Sequence, residues 1–216
     1  MNRLLFALAA AALCALPAHA GTLKVLVLDK EGKPVPDAVV VLAPAAAGHP
    51  RPLPTKVTIL QQKMRFAPAV SLVAVGGEAS FINNDPWEHH VRGTAAGIQN
   101  FDGGEKAGFE LRLDGKAEGR PAKVVDARLD KAGPVLLGCH LHASMRAHVF
   151  VSDTPWAALS GDDGRADFDA VPAGPVRIRV WHADQLLDLP PQELMLTAAP
   201  AAATMQLKVV PRRRRV

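Results

Sequence analysis

Short runs of alternating apolar and polar positions, separated by turn residues, make up this chain, and no stretch after residue 20 sustains a helical period. Residues 22–28 set Leu23, Val25 and Val27 on one face with Lys24 opposite, the period-two mark of a half-buried strand. Turn chemistry follows from Asp29 to Pro34, and residues 38–42 are a second apolar strand. Further strands are predicted at 57–61, 64–68, 70–75 and 79–83, with Gly76-Gly77 as a turn. Between 93 and 132 only Phe109-Glu110-Leu111 stands out. Later, Val135-Leu136-Leu137 and Val149-Phe150-Val151 flank a short loop, and Val176, Ile178 and Val180 alternate with Arg177 and Arg179. Met205, Leu207 and Val209 form the last alternation. Residues 43–54, Pro190-Pro191 and 198–203, rich in Ala and Pro, read as linker and loops.

The loop between the two apolar runs carries the chemistry. Cys139, His142 and Met145 lie on it, offering a thiolate, an imidazole and a thioether. These are ligands of a mononuclear copper electron-transfer site, where soft sulfur suits Cu(I) and imidazole suits Cu(II). A second histidine must come from another segment. Taken alone, a cysteine is as readily a small buried hydrophobe.

Residues 1–20 read as a secretory signal peptide: Arg3, an apolar run over 4–16, and Pro17-Ala18-His19-Ala20 before the cut. Leu13 precedes Cys14, where a lipoprotein signal wants a small residue. Cleavage removes Cys14, so Cys139 becomes the one remaining cysteine, in a compartment where thiols ordinarily pair. It bridges two chains, lies inert, or is held by a metal; His142 and Met145 favour the metal. The formal charge is +4, and Arg3 accounts for one of it, leaving +3 for the mature chain. Arg212, Arg213, Arg214 and Arg215 exceed that figure, so the body is near neutral and offers no nucleic-acid surface. The arginine run reads as a solvated tail, or else as an attachment to an acidic partner or anionic lipid. No later stretch is apolar enough to span a membrane.

Two resemblances organise these elements. The segment from residue 22, with Asp-x-x-Gly-x-Pro-Val-Pro-Asp-Ala before its second strand, resembles the start of a carboxypeptidase-regulatory-like (transthyretin-like) β-sandwich. The rest of that pattern comes more than a hundred residues later: the turn from Gly161 to Gly164, Phe168, Val171-Pro172-Ala173-Gly174, and the alternating strand after it. The intervening part is similar to the cupredoxin family, plastocyanin and amicyanin among its members. Phe81-x-Asn83-Asn84 followed by His89 and Val91 matches the family's first-histidine segment, and Cys139-x2-His142-x2-Met145 has the spacing of the short amicyanin loop. The segment order also resembles bacterial secreted methylamine-utilization or plastocyanin-like proteins, sharing Phe66-x-Pro68, Asp153-Thr154-Pro155 and Val180-Trp181-His182.

These resemblances imply an all-β chain, with a cupredoxin Greek-key β-sandwich inserted into or packed on a second small β-sandwich. The expected divisions are 1–20 signal peptide, 21–54 first part of the regulatory-like sandwich and linker, 55–154 cupredoxin, 155–210 second part, and 211–216 basic tail. The implied site holds one copper per chain through His89, Cys139, His142 and Met145, with Met145 the weak axial ligand. The family register selects His89 over His90. His90 and Asn84 are expected to support the ligands by hydrogen bonding, and His90 reads equally as a plain strand residue. His142 is the ligand expected to reach solvent through an apolar patch with Leu141, Ala143 and Pro68 or Pro86.

The expected function is a periplasmic blue-copper carrier of single electrons, monomeric, with a periplasmic redox protein as partner. It is not expected to be an enzyme, nor to bind nucleic acid or span a membrane. Copper handling without electron transfer, and a metal-free binding module, are the alternatives.

Overall fold

The computed structural model describes residues 20–96 and 108–212. Residues 1–19 of the expected leader, Cys14 included, lie outside them, as do Arg213, Arg214 and Arg215 of the tail. The described residues are all β. In chain order the strands are β1 (Ala20–Leu28), β2 (Val39–Pro44), β3 (Lys56–Gln62), β4 (Arg65–Ala67), β5 (Val70–Ala74), β6 (Gly77–Asn83), β7 (His89–Ala95) and β8 (Phe109–Leu113). They continue as β9 (Val124–Leu129), β10 (Gly133–Cys139), β11 (Arg146–Ser152), β12 (Ala157–Leu159), β13 (Arg165–Pro172), β14 (Gly174–Trp181), β15 (Gln192–Leu196) and β16 (Ala201–Gln206).

Four sheets form two layered pairs. Sheets β13-β1-β16 and β12-β2-β14-β15 draw on both ends of the chain. Their inward side chains, among them Leu23, Val25, Leu42, Trp156, Phe168, Ile178 and Met205, make one core. Sheets β5-β11-β10-β7-β8 and β4-β3-β6-β9 come wholly from the middle of the chain. They enclose a second core that includes Ile59, Phe81, Val91, Leu113, Leu137, Cys139, Met145 and Val149. The chain crosses repeatedly between these two sheets, and parallel pairs β3–β6 and β5–β11 join the antiparallel ones.

A third apolar cluster joins the two sandwiches. Val39 and Val41 of β2 meet Val70 and Leu72 of β5, flanked by Phe150 and Trp181. This explains why Val39-Val40-Val41-Leu42 has no polar position: Val40 and Leu42 face the first core while Val39 and Val41 face the second sandwich. A strand covered on both faces reads as a continuous apolar run.

Two expectations need correction. Residues 201–203, read as part of an alanine loop, are paired strand: Ala201, Ala202 and Ala203 lie parallel to Leu23, Lys24 and Val25 of β1. Ala203 and Met205 are both buried, so β1 supplies the hydrogen bonds and the core supplies the burial that alanine propensity lacks. The last strand accordingly ends at Gln206 instead of running to Val209. The unplaced stretch between 93 and 132 contributes β8 and β9, with residues 97–107 outside the described ones.

Candidate metal centre

Strand parity aims the candidate ligands. On β7 the pattern is buried, half-buried, buried, so His89 and Val91 face the core and His90 faces out. The end of β10 pairs Cys139 with Val91, which turns the thiol into the same interior. The chain then folds over a tight loop, in which the Met145 N–H donates to the His142 carbonyl at 3.0 Å. Met145 is buried in the core cluster that contains Cys139, while His142 is only half-buried.

Three donor atoms converge. His89 Nδ1 lies 3.1 Å from His142 Nδ1, and Cys139 Sγ lies 3.8 Å from the first and 3.6 Å from the second. Among the described residues these are the one group of three such side chains whose ligand atoms all lie within 4.8 Å of one another. Ligands at about 2.0–2.1 Å (N) and 2.3 Å (S) from a common ion, at angles near 100–120°, sit roughly 3.1–3.8 Å apart. The spacing therefore fits a single ion, and the donor set of one thiolate and two imidazoles fits copper.

His89 is held in a defined tautomer. Its Nε2 lies 2.9 Å from Oδ2 of Asp85, and both side chains are buried. A carboxylate accepts a proton donor there, so Nε2 carries the hydrogen and Nδ1 keeps its lone pair for the cluster. Asp85 is itself fixed by the Lys63 N–H at 2.6 Å and the Met64 N–H at 3.0 Å. Those two residues form the β3–β4 turn with φ of 53° and 56°, a left-handed conformation that L residues adopt at a cost. Burial alone would push the Asp85 carboxyl up, but the bonds from Met64, His89 and Lys63 outweigh it and hold the group below its ordinary value.

Asn83 anchors the same loop. Its side chain donates to the carbonyls of Trp87, Leu113 and Asp114, and its Oδ1 accepts from the Asp85 N–H. Gly115 makes room for it: a Cβ there would lie 2.2 Å from the Pro86 carbonyl oxygen.

His89, Cys139 and His142 are thus brought together. Asn84 and His90 are not in the supporting positions expected of them. Asn84 is half-exposed and meets β3 through its backbone N–H, donated to the Gln61 carbonyl. Parity explains it, since Phe81 and Asn83 share the inward face of β6 and Asn84 falls past the strand's end. His90 faces outward by the same rule and stacks on His140. The support comes instead from Asp85 and Asn83. The sequence signal for Asp85 was an acid four residues before the histidine, across Pro86. Leu141, Ala143, Pro68 and Pro86 are all exposed.

No family model and no curated protein matches the chain. Solved structures do. A P52G mutant of amicyanin, in the reduced Cu(I) form, is 17% identical over 51% of this chain and 98% of its own, with a TM-score of 0.35. Amicyanin from Paracoccus versutus is 16% identical over 51% and 97%, with a TM-score of 0.33. The Cu-containing nitrite reductase from Thermus scotoductus SA-01 is 20% identical over 60% of this chain and 28% of its own, with a TM-score of 0.36. At such values, the functional reading rests on the site's own geometry.

Proposed function

We propose that the protein is a periplasmic type 1 copper protein that carries single electrons, its middle sandwich a cupredoxin domain set within a regulatory-like β-sandwich. The observation that carries this reading is the convergence of His89 Nδ1, His142 Nδ1 and Cys139 Sγ at 3.1–3.8 Å in the interior of the second sandwich. His89, Cys139 and His142 would hold one copper per chain, with the Met145 thioether as a further, weak ligand. Copper bound there would supply one-electron chemistry between Cu(I) and Cu(II).

The protein's part is to keep the ligands still. Asp85 fixes the His89 ring, Asn83 fixes the loop that carries Asp85, and the β10–β11 pairing fixes both ends of the Cys139–Met145 loop. Ligands that move little between oxidation states favour a carrier over a copper-delivery protein, whose site must open. His142, half-buried beside exposed Leu141, is the exit for electrons toward a periplasmic redox partner. On this reading the protein is not an enzyme by itself, and residues 1–20 are removed on export.

The test is a visible spectrum of the Cu(II)-loaded mature protein beside Cys139→Ser. An intense blue thiolate-to-copper band, absent in the variant, is expected. A colourless protein would overturn the carrier reading.

A further inference from the structure

We propose that Asp85 biases the metal centre toward a divalent ion, so that it holds Cu(II) in preference to Cu(I). The inference rests on the metal placement proposed above, at His89, Cys139 and His142, and names the residue that sets which charge that placement favours. The carboxylate sits directly behind a ligand ring. Asp85 Oδ2 lies 2.9 Å from His89 Nε2, across the imidazole from the Nδ1 that faces Cys139 and His142, and the two side chains are 5% and 0% exposed. Its other two donors are backbone groups, the Lys63 and Met64 N–H. The Lys63 side chain is exposed, and among the described residues no lysine or arginine side chain pairs with Asp85. The buried carboxylate therefore has no cation beside it.

Charge matching then decides. A cysteine binds metal as the thiolate and a histidine as the neutral imidazole. Cys139 and Asp85 thus give the buried group two negative charges. A dication brings that group to neutrality, and a monocation leaves it with one negative charge. With an uncharged residue at position 85 the order reverses: the monocation leaves the group neutral and the dication leaves it positive. A net charge in a buried, weakly screened place is costly, so the aspartate shifts the preference by one charge toward the dication. The hydrogen bond acts in the same direction. A carboxylate on Nε2–H makes the opposite ring nitrogen more basic, which favours the ion that prefers imidazole, Cu(II), over the one that prefers soft sulfur, Cu(I).

The test compares a redox-inert dication, Zn2+, with a monocation, Cu(I), by competition of each against a chromophoric chelator for the metal-free protein. Asp85→Asn and Asp85→Ser both remove the charge while keeping an acceptor for the turn. Each is expected to lower the ratio of Zn2+ to Cu(I) affinity by about 10-fold or more. Asp85→Glu keeps the charge and should keep the wild-type ratio. Gly115→Ala, which disturbs the loop without touching the charge, should weaken both ions alike. In the copper-loaded protein, voltammetry should show the potential rising in Asp85→Asn by about 59 mV for each ten-fold change in the Cu(II)/Cu(I) affinity ratio. Far-UV circular dichroism verifies that each variant folds. A blue band in the wild type with the ratio unmoved in Asp85→Asn and Asp85→Ser would overturn the proposal and leave the carrier reading intact. A ratio that falls equally in Gly115→Ala would also overturn it. No blue band, with the ratio lowered as expected, would leave Asp85 its role while the carrier reading failed.

Discussion

Asp85→Asn tests whether the carboxylate beside His89 both holds the β3–β4 turn and sets the ring's tautomer. Three donors converge on Asp85: Lys63 N–H on Oδ1, and Met64 N–H and His89 Nε2 on Oδ2. Asparagine offers one acceptor oxygen and one NH2 group. If the oxygen stays toward Met64 and His89, the Lys63 N–H faces an N–H. Losing that charge-assisted bond costs about 1.5–3 kcal/mol, and it falls on a turn whose Lys63 and Met64 are held left-handed at a cost. If the amide turns the other way, its NH2 donates to Nε2 and drives the His89 proton to Nδ1, removing the lone pair the metal needs. A loss of roughly 2–3 kcal/mol in metal-free stability is therefore expected, with metal affinity down about 10- to 100-fold. Guanidinium denaturation at unchanged m-value reads the first, and chelator competition the second. A variant as stable as wild type and binding copper equally well would refute both roles.

Three further outcomes follow from the same geometry. Because the folded Asp85 carboxyl lies below its ordinary value of about 3.8, its contribution to metal-free stability is complete above that value and is lost as pH falls below it; denaturation midpoints from pH 6 to 3 should show this, with a flatter profile in Asp85→Asn. Gly115→Ala puts a methyl group 2.2 Å from the Pro86 carbonyl oxygen, so it should cost about 1–3 kcal/mol and weaken metal binding by shifting the Asp85 loop, as thermal unfolding and chelator competition would show. Gln61 is fully buried with neither carboxamide atom hydrogen-bonded, so Gln61→Met should raise stability by about 1–2 kcal/mol; a loss in chemical denaturation would contradict it.

Much of the site was legible because it is local. Cys139, His142 and Met145 sit on one loop between two apolar runs, and β-strand parity is a property of the sequence itself. Parity also separates His89 from His90, and it could have chosen Asn83 over Asn84, since Phe81 marks the inward face of β6. Asp85 was harder. Its part depends on two N–H groups of a turn more than twenty residues earlier, and nothing near it in the chain announces them.

By itself the sequence determined the all-β class, because alternation at period two and turn residues are local statements about which face each side chain takes. It also determined the ligand types, which follow from residue chemistry. Tertiary structure alone decided that 201–203 would be strand, since weak β-formers pair there only because β1 offers an open edge and a core to cover. It decided too that β2 would be buried on both faces, and that Asp85 would hold the His89 ring. Each is a contact between segments far apart in the chain, made when burying the two sandwich cores brings those segments together.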